Sequence, residues 1–310
     1  MPDFQRTLRI KSPYMRGPDV LHAQRALRSF GFGQVEADGL FGRGTATAVK
    51  LFQSQRGIAP TGDVDDGTWS ALFASMPTSD AARGDLTELA RKLIEPHQFR
   101  DSVPWRLTGS GIAMGGQPAV GTPGSPTSVQ KILSQFGADI YAVCKQRGVF
   151  VELVVATIAT ESSGKPEARR EEPGFTSDTE TPARVSVGLM QTLISTARSA
   201  TGDDSITAKT LETPRVSINA GVAYIASQFN ITGFDPPKVA CAYNAGGIYY
   251  NPSPNNRWKM RQYPIGTAHH ADRFISLFND CFCVIRATPP PEMDAPSFAV
   301  EYGKLQGAPA

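Results

Sequence analysis

Apolar residues in this chain recur at helical spacing, segment after segment, and no run alternates convincingly between apolar and polar as a half-buried strand would. In "PDVLHAQRALRSFGF" the residues Val20, Leu21, Gln24, Leu27 and Phe30 share a face, with Asp19 near the start and Gly31 after the end. "GRGTATAVKLFQSQRGI" repeats the pattern, with Thr45 as candidate N-cap, Ala48, Val49 and Phe52 inward, and Gly57 as the stop. "DDGTWSALFAS" adds a third short helix, with Trp69, Leu72 and Phe73 inward. The turns between them, "ADGLFG" and "TGDVDDG", are rich in Asp and Gly. From Val129 onward, helical patterns cover 129–147, 149–163, about 191–201, 217–229, 237–245 and 271–284. The chain is therefore expected to be mainly α.

A length of 310 residues suggests two domains, or one with appendages. The 29 Gly and 24 Pro exceed what compact helical domains use, which points to a linker. "TGSGIAMGGQPAVGTPGSPTS" reads as flexible, preceded by one amphipathic helix in "DLTELARKLIEP" with Leu86, Leu89, Leu93 and Ile94 inward. The expected layout is a small three-helix domain over 1–76, a linker with one helix over 77–128, a larger helical domain over 129–288, and an extended tail over 289–310.

A net charge of +2 argues against a dedicated nucleic-acid binder. The longest apolar run, "VFVELVVATIA", is too short to span a bilayer and carries Glu152, so no membrane insertion is expected. "MPDFQRTLRIKSPYMRG" has no apolar core of a Sec-type signal, which implies synthesis in a cytoplasm. The cysteines Cys144, Cys241, Cys281 and Cys283 read as reduced core residues. Cys281-x-Cys283 with His269 and His270 upstream fits no usual zinc spacing, so no metal and no diffusible cofactor is expected.

One residue breaks the helical pattern. In "VVATIATESSGKP", Glu161 falls on the face of Val154, Thr157 and Ile158, and the helix stops soon after. A carboxylate on an apolar face loses hydration, and at a helix C-terminus it meets the negative end of the dipole. Both raise its pKa, as a general acid requires. The plain alternative is a glutamate that bends out to solvent at a fraying terminus.

Further motifs weigh against that alternative: "SVGLMQT" (186–192), "NAGVAYI" (219–225) and "ACAYNAGG" (240–247). With Glu161-Ser162-Ser163 they resemble, in order, the four motifs of the soluble lytic transglycosylases, whose fold is that of goose-type lysozyme. The N-terminal unit resembles the peptidoglycan-binding three-helix module through Gly17-Pro18-Asp19-Val20, Gln24, Leu27, Asp38-Gly39-Leu40-Phe41-Gly42, Thr45, Phe52-Gln53, Gly62 and Thr68-Trp69. The whole arrangement resembles a modular phage endolysin. The resemblance implies that Glu161 is the catalytic acid/base and that Tyr243 is a second catalytic residue, its hydroxyl near Glu161 and of little weight for stability. Ser162, Gly188, Leu189, Met190, Gln191, Tyr243 and Asn244 would line the substrate cleft, with Leu189 and Met190 better suited to packing. In the module, Asp38, Phe41, Thr45, Asp63 and Thr68 are the candidate wall contacts.

The implied activity is cleavage of the β-1,4 bond between N-acetylmuramic acid and N-acetylglucosamine, leaving 1,6-anhydromuramoyl ends. Rival readings are a hydrolytic muramidase or chitinase on the same fold, or a non-catalytic wall-binding virion protein. Peptidoglycan glycan strands are the expected partner of a monomer, met in the periplasm or outside the cell after release. One departure stands out: a polar segment, 165–185, separates Glu161 from the second motif, as a loop or short-helix insertion. Its Glu171, Glu172, Asp178 and Glu180 are the candidates for a second carboxylate.

Overall fold

The computed structural model describes residues 4–30, 32, 35–56, 58–73, 86–124, 126–290 and 294–307. Gly31 and Gly57, read above as helix stops, lie outside the described residues. The chain divides into two compact units, residues 1–78 and 79–310.

The first unit holds α1 (Pro18–Ser29), α2 (Arg43–Gln55) and α3 (Asp66–Phe73). α1 opens with Pro at its first position and Asp19 in its first turn, both favoured at a helix start. Their apolar faces meet around Leu8, Val20, Leu27, Phe41, Val49, Phe52, Val64 and Trp69. Two buried glutamines tie the turns to the helices in parallel ways. Gln24 donates to the Leu40 carbonyl and the Thr45 hydroxyl while accepting from Gly39 N. Gln53 donates to the Asp63 carbonyl and the Thr68 hydroxyl while accepting from Gly62 N. The same Gly-x₄-Gly-Thr sequence, at 39–45 and 62–68, serves both latches.

In the second unit, α4 (Leu86–Ile94) precedes a hairpin of β1 (Trp105–Thr108) and β2 (Gly111–Met114). Then come α5 (Thr127–Arg147) and α6 (Val151–Glu161). A three-stranded antiparallel sheet follows, β3 (Arg169–Glu171), β4 (Val185–Val187) and β5 (Thr192–Leu193), in that order. The rest is helical: α7 (Ile194–Thr201), α8 (Ala208–Leu211), α9 (Pro214–Ser227), α10 (Phe229–Thr232), α11 (Pro236–Ala245), α12 (His269–Ala287) and α13 (Phe298–Leu305). Among the described residues no helix is long and apolar enough to cross a membrane.

α6 is the axis of this unit. Every residue from Val151 to Ala159 is buried, and α12 and α5 pack on it most extensively. A helix that is apolar all round belongs inside. The sequence reading gave α6 one buried face; in fact it has no exposed one, so a side chain at its end emerges from the core.

The structure corrects three expectations. The stretch over 77–128 is not a linker where it is described. α4 packs on α13, and Trp105, Leu107 and Ile112 of the hairpin lie in the core. Asn279 of α12 clamps this segment by bonding Ile112 N, Ile112 O and Val120 O, and Asp280 accepts from Thr122 N at 3.1 Å. Its glycines serve tight turns rather than flexibility. In the stretch read as a tail over 289–310, the described residues 294–307 are likewise folded, because α13 docks through Glu152. That fully buried carboxylate accepts from Ser297 Oγ (2.6 Å), Phe298 N (3.0 Å) and Ala299 N (2.9 Å), three donors at the start of α13. Phe150 and Phe298 stack beside it at 3.8 Å. Finally, strands exist, but they are two to four residues long, too short for alternation to register.

Candidate active site

α6 carries two glutamates, and the contrast between them defines the site. Glu152 in its first turn has three hydrogen-bond donors and holds the fold. Glu161, its last residue, has no hydrogen-bond partner among the described residues, although its side chain is only 19% exposed. Burial raises its pKa to about 7, against the nearby charges of Arg170 on β3 and Arg273 on α12, which lower it. A carboxyl half-protonated at neutral pH, and unengaged, is suited to give and take a proton.

The end of α6 is held by its neighbours. Ser162 Oγ donates to the Leu189 carbonyl at 2.7 Å and accepts from Gly164 N. Arg273 donates to the Ala159 carbonyl (3.3 Å) and to Ser163 Oγ (3.2 Å), placing a cation at the helix C-terminus. The motif 188–191 forms the adjoining wall. Gly188 has φ +82°, and a Cβ there would lie 2.1 Å from the Leu211 carbonyl, so no other residue fits. A Cβ on Gly221 of α9 would meet the Met190 side chain at 2.5 Å, which explains the small residue in "NAGVAYI". Leu189 and Met190 are fully buried and pack rather than face a ligand.

Three expected cleft residues prove to be braces. Gln191 spends its amide inside the turn, donating to the Ala168 and Gly188 carbonyls and accepting from Ser186 Oγ. Ser162 is committed to Leu189. Tyr243 of α11 donates its hydroxyl to the Met190 carbonyl at 2.7 Å and lies 3.2 Å from Thr192 Oγ1, without reaching Glu161. Burial raises the Tyr243 pKa; the Thr192 bond opposes this and the nearby Glu161 charge adds to it. Asn244 Oδ1 accepts from Tyr263 N at 2.6 Å, and its Nδ2 lies 3.4 Å from His270 Nδ1.

His270, Arg273 and Arg170 were not among the sequence candidates for this site. His270 Nε2 lies 3.7 Å from Glu161 Oε1. Burial, and then the charge of Arg273, push its pKa down to about 4 against a hydrogen bond that the ring donates to the Ala240 carbonyl, so the ring is neutral. The sequence offered it only as a weak metal candidate beside Cys281 and Cys283. The structure instead buries Cys281 in the core and exposes Cys283.

The insertion 165–185 supplies β3 and then a polar loop, not a helix. Four of its five carboxylates are engaged locally: Glu171 and Asp178 with Arg169, Glu172 with Arg170, Glu180 with Ser177. Thr192, the residue after Gln191, is buried against Tyr243 and offers no charge. A separate, half-open pocket of about 150 Å³ beside the hairpin, bounded by Pro96, Trp105, Arg106 and Gln117, includes none of these residues.

In the first unit, Phe41, Thr45 and Thr68 are buried and serve the two glutamine latches or the core. This corrects their reading as wall contacts. Asp38 is exposed but accepts from Gln24, and Asp63 pairs with Arg9 at 3.4 Å.

Residues 16–72 match the family described as putative peptidoglycan binding domain, and residues 140–264 match the transglycosylase SLT domain. No curated protein matches the sequence. Among solved structures, the crystal structure of Burkholderia AP3 phage endolysin is 15% identical, over 88% of this chain and 98% of that one, with a TM-score of 0.23. The chain thus carries a peptidoglycan-binding segment and an SLT transglycosylase segment, and it is a mainly α peptidoglycan lytic transglycosylase.

Proposed function

We propose that the enzyme cleaves the β-1,4 bond between N-acetylmuramic acid and N-acetylglucosamine with Glu161 as its single acid/base, and that it releases 1,6-anhydromuramoyl ends. The observation that carries this is Glu161 itself: a buried carboxyl at the end of α6 with a pKa of about 7 and no hydrogen-bond partner among the described residues. Protonated, it donates to the bridging oxygen. The substrate's N-acetyl group stabilises the positive charge at C1. Glu161, now ionised, takes the proton of the C6 hydroxyl as that oxygen closes on C1.

An inverting hydrolysis needs a second carboxylate to activate water. Thr192 beside the cleft segment is neutral, and Glu171, Glu172, Asp178 and Glu180 of the insertion are paired with Arg169, Arg170 or Ser177. The C6 hydroxyl, held on the same sugar, then has the advantage of proximity. The N-terminal unit keeps the enzyme on the polymer as a monomer acting at the cell wall. Glu161→Gln is the test: lysis of purified sacculi should fall by about 10²–10⁴-fold or more, with sacculus binding unchanged. Near-normal lysis would remove Glu161 from the mechanism.

A further inference from the structure

Between α11 and α12, residues 246–268 fold back on themselves. Tyr250 bridges Met260, with Asn251 N donating to the Lys259 carbonyl (2.8 Å) and Arg261 N to the Tyr249 carbonyl (2.7 Å). Successive side chains in extended backbone alternate between faces. Met260 and Gln262 are fully buried, and the Gln262 carbonyl oxygen accepts from Ala271 N at 2.8 Å. Arg261 and Tyr263 therefore point outward from backbone that the inward pair holds.

The outward pair has groups to offer. The Tyr263 ring is 49% exposed, its hydroxyl has no hydrogen-bond partner among the described residues, and Ile265 beyond it is 62% exposed. The Arg261 guanidinium lies over the Tyr249 ring, 5.0 Å from its centroid, and has neither a bonded acceptor nor a carboxylate partner among the described residues. Burial raises the Tyr249 pKa; Arg261 opposes this and Tyr263 adds to it, so the three side chains form one cluster. Tyr250 is turned elsewhere, its hydroxyl donating to Asp101 at 3.2 Å. The cluster adjoins the candidate active site. Tyr263 N donates to Asn244 Oδ1 at 2.6 Å, Asn244 Nδ2 lies 3.4 Å from His270 Nδ1, and His270 Nε2 lies 3.7 Å from Glu161 Oε1.

We infer that Tyr263 and Arg261 form a sugar-binding subsite beside the cleaved bond: one pyranose ring of the glycan strand stacks on Tyr263, and Arg261 donates to an acetamide carbonyl of the strand. The inference rests on the reading of Glu161 as the acid/base, because it is the position of Glu161 that brings further sugars of the polymer over this surface. The chemistry of the two partners matches. In a β-1,4-linked glucosamine-type ring the substituents are equatorial, so each face presents axial C–H groups only. That face is apolar, and its slightly positive hydrogens suit the negative face of an aromatic ring. Ile265 extends the apolar strip. A guanidinium lying over a ring keeps its N–H donors for an acceptor and has little freedom left to lose on binding. The acetamide recurs on every sugar, so Arg261 needs no stem peptide to find one. Backbone fixed by Met260, Gln262 and Asn244 presents both side chains ready placed.

The test uses the full chain carrying Glu161→Gln as reference, with peptide-free glycan tetrasaccharides and longer fragments as the probe and calorimetry giving Kd. The first unit is the same in every variant, so differences belong to the second. Tyr263→Ala should weaken binding by about 3- to 10-fold, and Tyr263→Phe, which keeps the ring, should bind like the reference. Arg261→Ala should lose about 3- to 10-fold, the worth of one hydrogen bond. With Glu161 intact, Tyr263→Ala should raise KM with kcat little changed and leave the melting temperature where it was, since the side chain is exposed. Unchanged affinity in Tyr263→Ala, a Tyr263→Phe chain as weak as the Ala one, or a reference chain that binds no peptide-free fragment overturns the subsite. A loss confined to fragments bearing stem peptides gives the surface to the peptide and overturns the sugar assignment, and a loss that follows a fall in melting temperature makes Tyr263 structural. Full lytic activity in Glu161→Gln would refute the acid/base reading by itself, whatever the binding of the Tyr263 variants shows.

Discussion

Replacing Glu152 with Ala should loosen the second unit severely although the residue is far from any substrate. The carboxylate is fully buried and accepts from Ser297 Oγ, Phe298 N and Ala299 N at 2.6–3.0 Å. Hydrogen bonds to a charged group contribute about 1.5–3 kcal/mol each, but part of that offsets the cost of burying the charge. What remains after truncation is a pair of backbone N–H groups and a hydroxyl with no acceptor, each costing about 1 kcal/mol or more. Breaking such a buried set is expected to cost about 3–5 kcal/mol. For a unit of this size that lowers Tm by about 6–20 °C. Glu152→Gln keeps the volume and one acceptor oxygen but turns an NH₂ toward a donor, so it should fall between wild type and Ala. Circular dichroism melts at neutral pH give Tm, and limited proteolysis should find new cleavage over 288–307 in the Ala variant. A loss below about 1 kcal/mol would show that α13 docks without its carboxylate.

The same helix yields the opposite effect at its other end. The pKa of Glu161 is raised from the ordinary 4.5 to about 7, so between those values the folded protein holds a proton that the unfolded chain releases. Stability from this group is therefore full below about pH 4.5 and declines until about pH 7. Glu161→Gln should be more stable than wild type at pH 8 by up to about 3 kcal/mol and no more stable at pH 4; equal melts at both pH values would deny the buried charge. Tyr243→Phe leaves the Met190 carbonyl without its 2.7 Å donor and should cost about 1–3 kcal/mol of stability as well as turnover, measured by urea titration beside sacculus lysis. This revises an expectation from motif position alone, in which the hydroxyl served only the reaction; an unchanged midpoint would restore it. Deleting residues 1–78 should weaken sacculus pull-down while sparing turnover of soluble glycan fragments, since the second unit has its own core. Undiminished pull-down would refute a targeting role.

Much of the helical architecture was legible because burial on one face writes a 3.6-residue period, as in α1, α2 and α12. Glu161 was legible for the same reason in reverse, as a charge where the period demands an apolar residue. The hairpin and α13 were not, because their anchors are side chains far away in sequence. Asn279 and Asp280 hold residues 111–122, and Glu152 holds 297–299, and no local pattern predicts such pairings. His270 was hidden likewise: it reaches Glu161 only after α12 has packed across α6. Tyr243, Ser162 and Gln191 stand out in the sequence as polar residues of the motifs. Their spacing could not tell whether each hydroxyl or amide faces a ligand or a neighbouring carbonyl, and the structure turns all three inward.

The mass of the muropeptides released from purified sacculi tests the central claim most directly. If Glu161 acts alone and the C6 hydroxyl is the nucleophile, the products carry 1,6-anhydromuramoyl ends, each lighter by one water than a hydrolysis product. Mainly reducing ends, lost when Glu171, Glu172, Asp178 or Glu180 is replaced by Ala, would show that a second carboxylate activates water and would contradict the single-acid account.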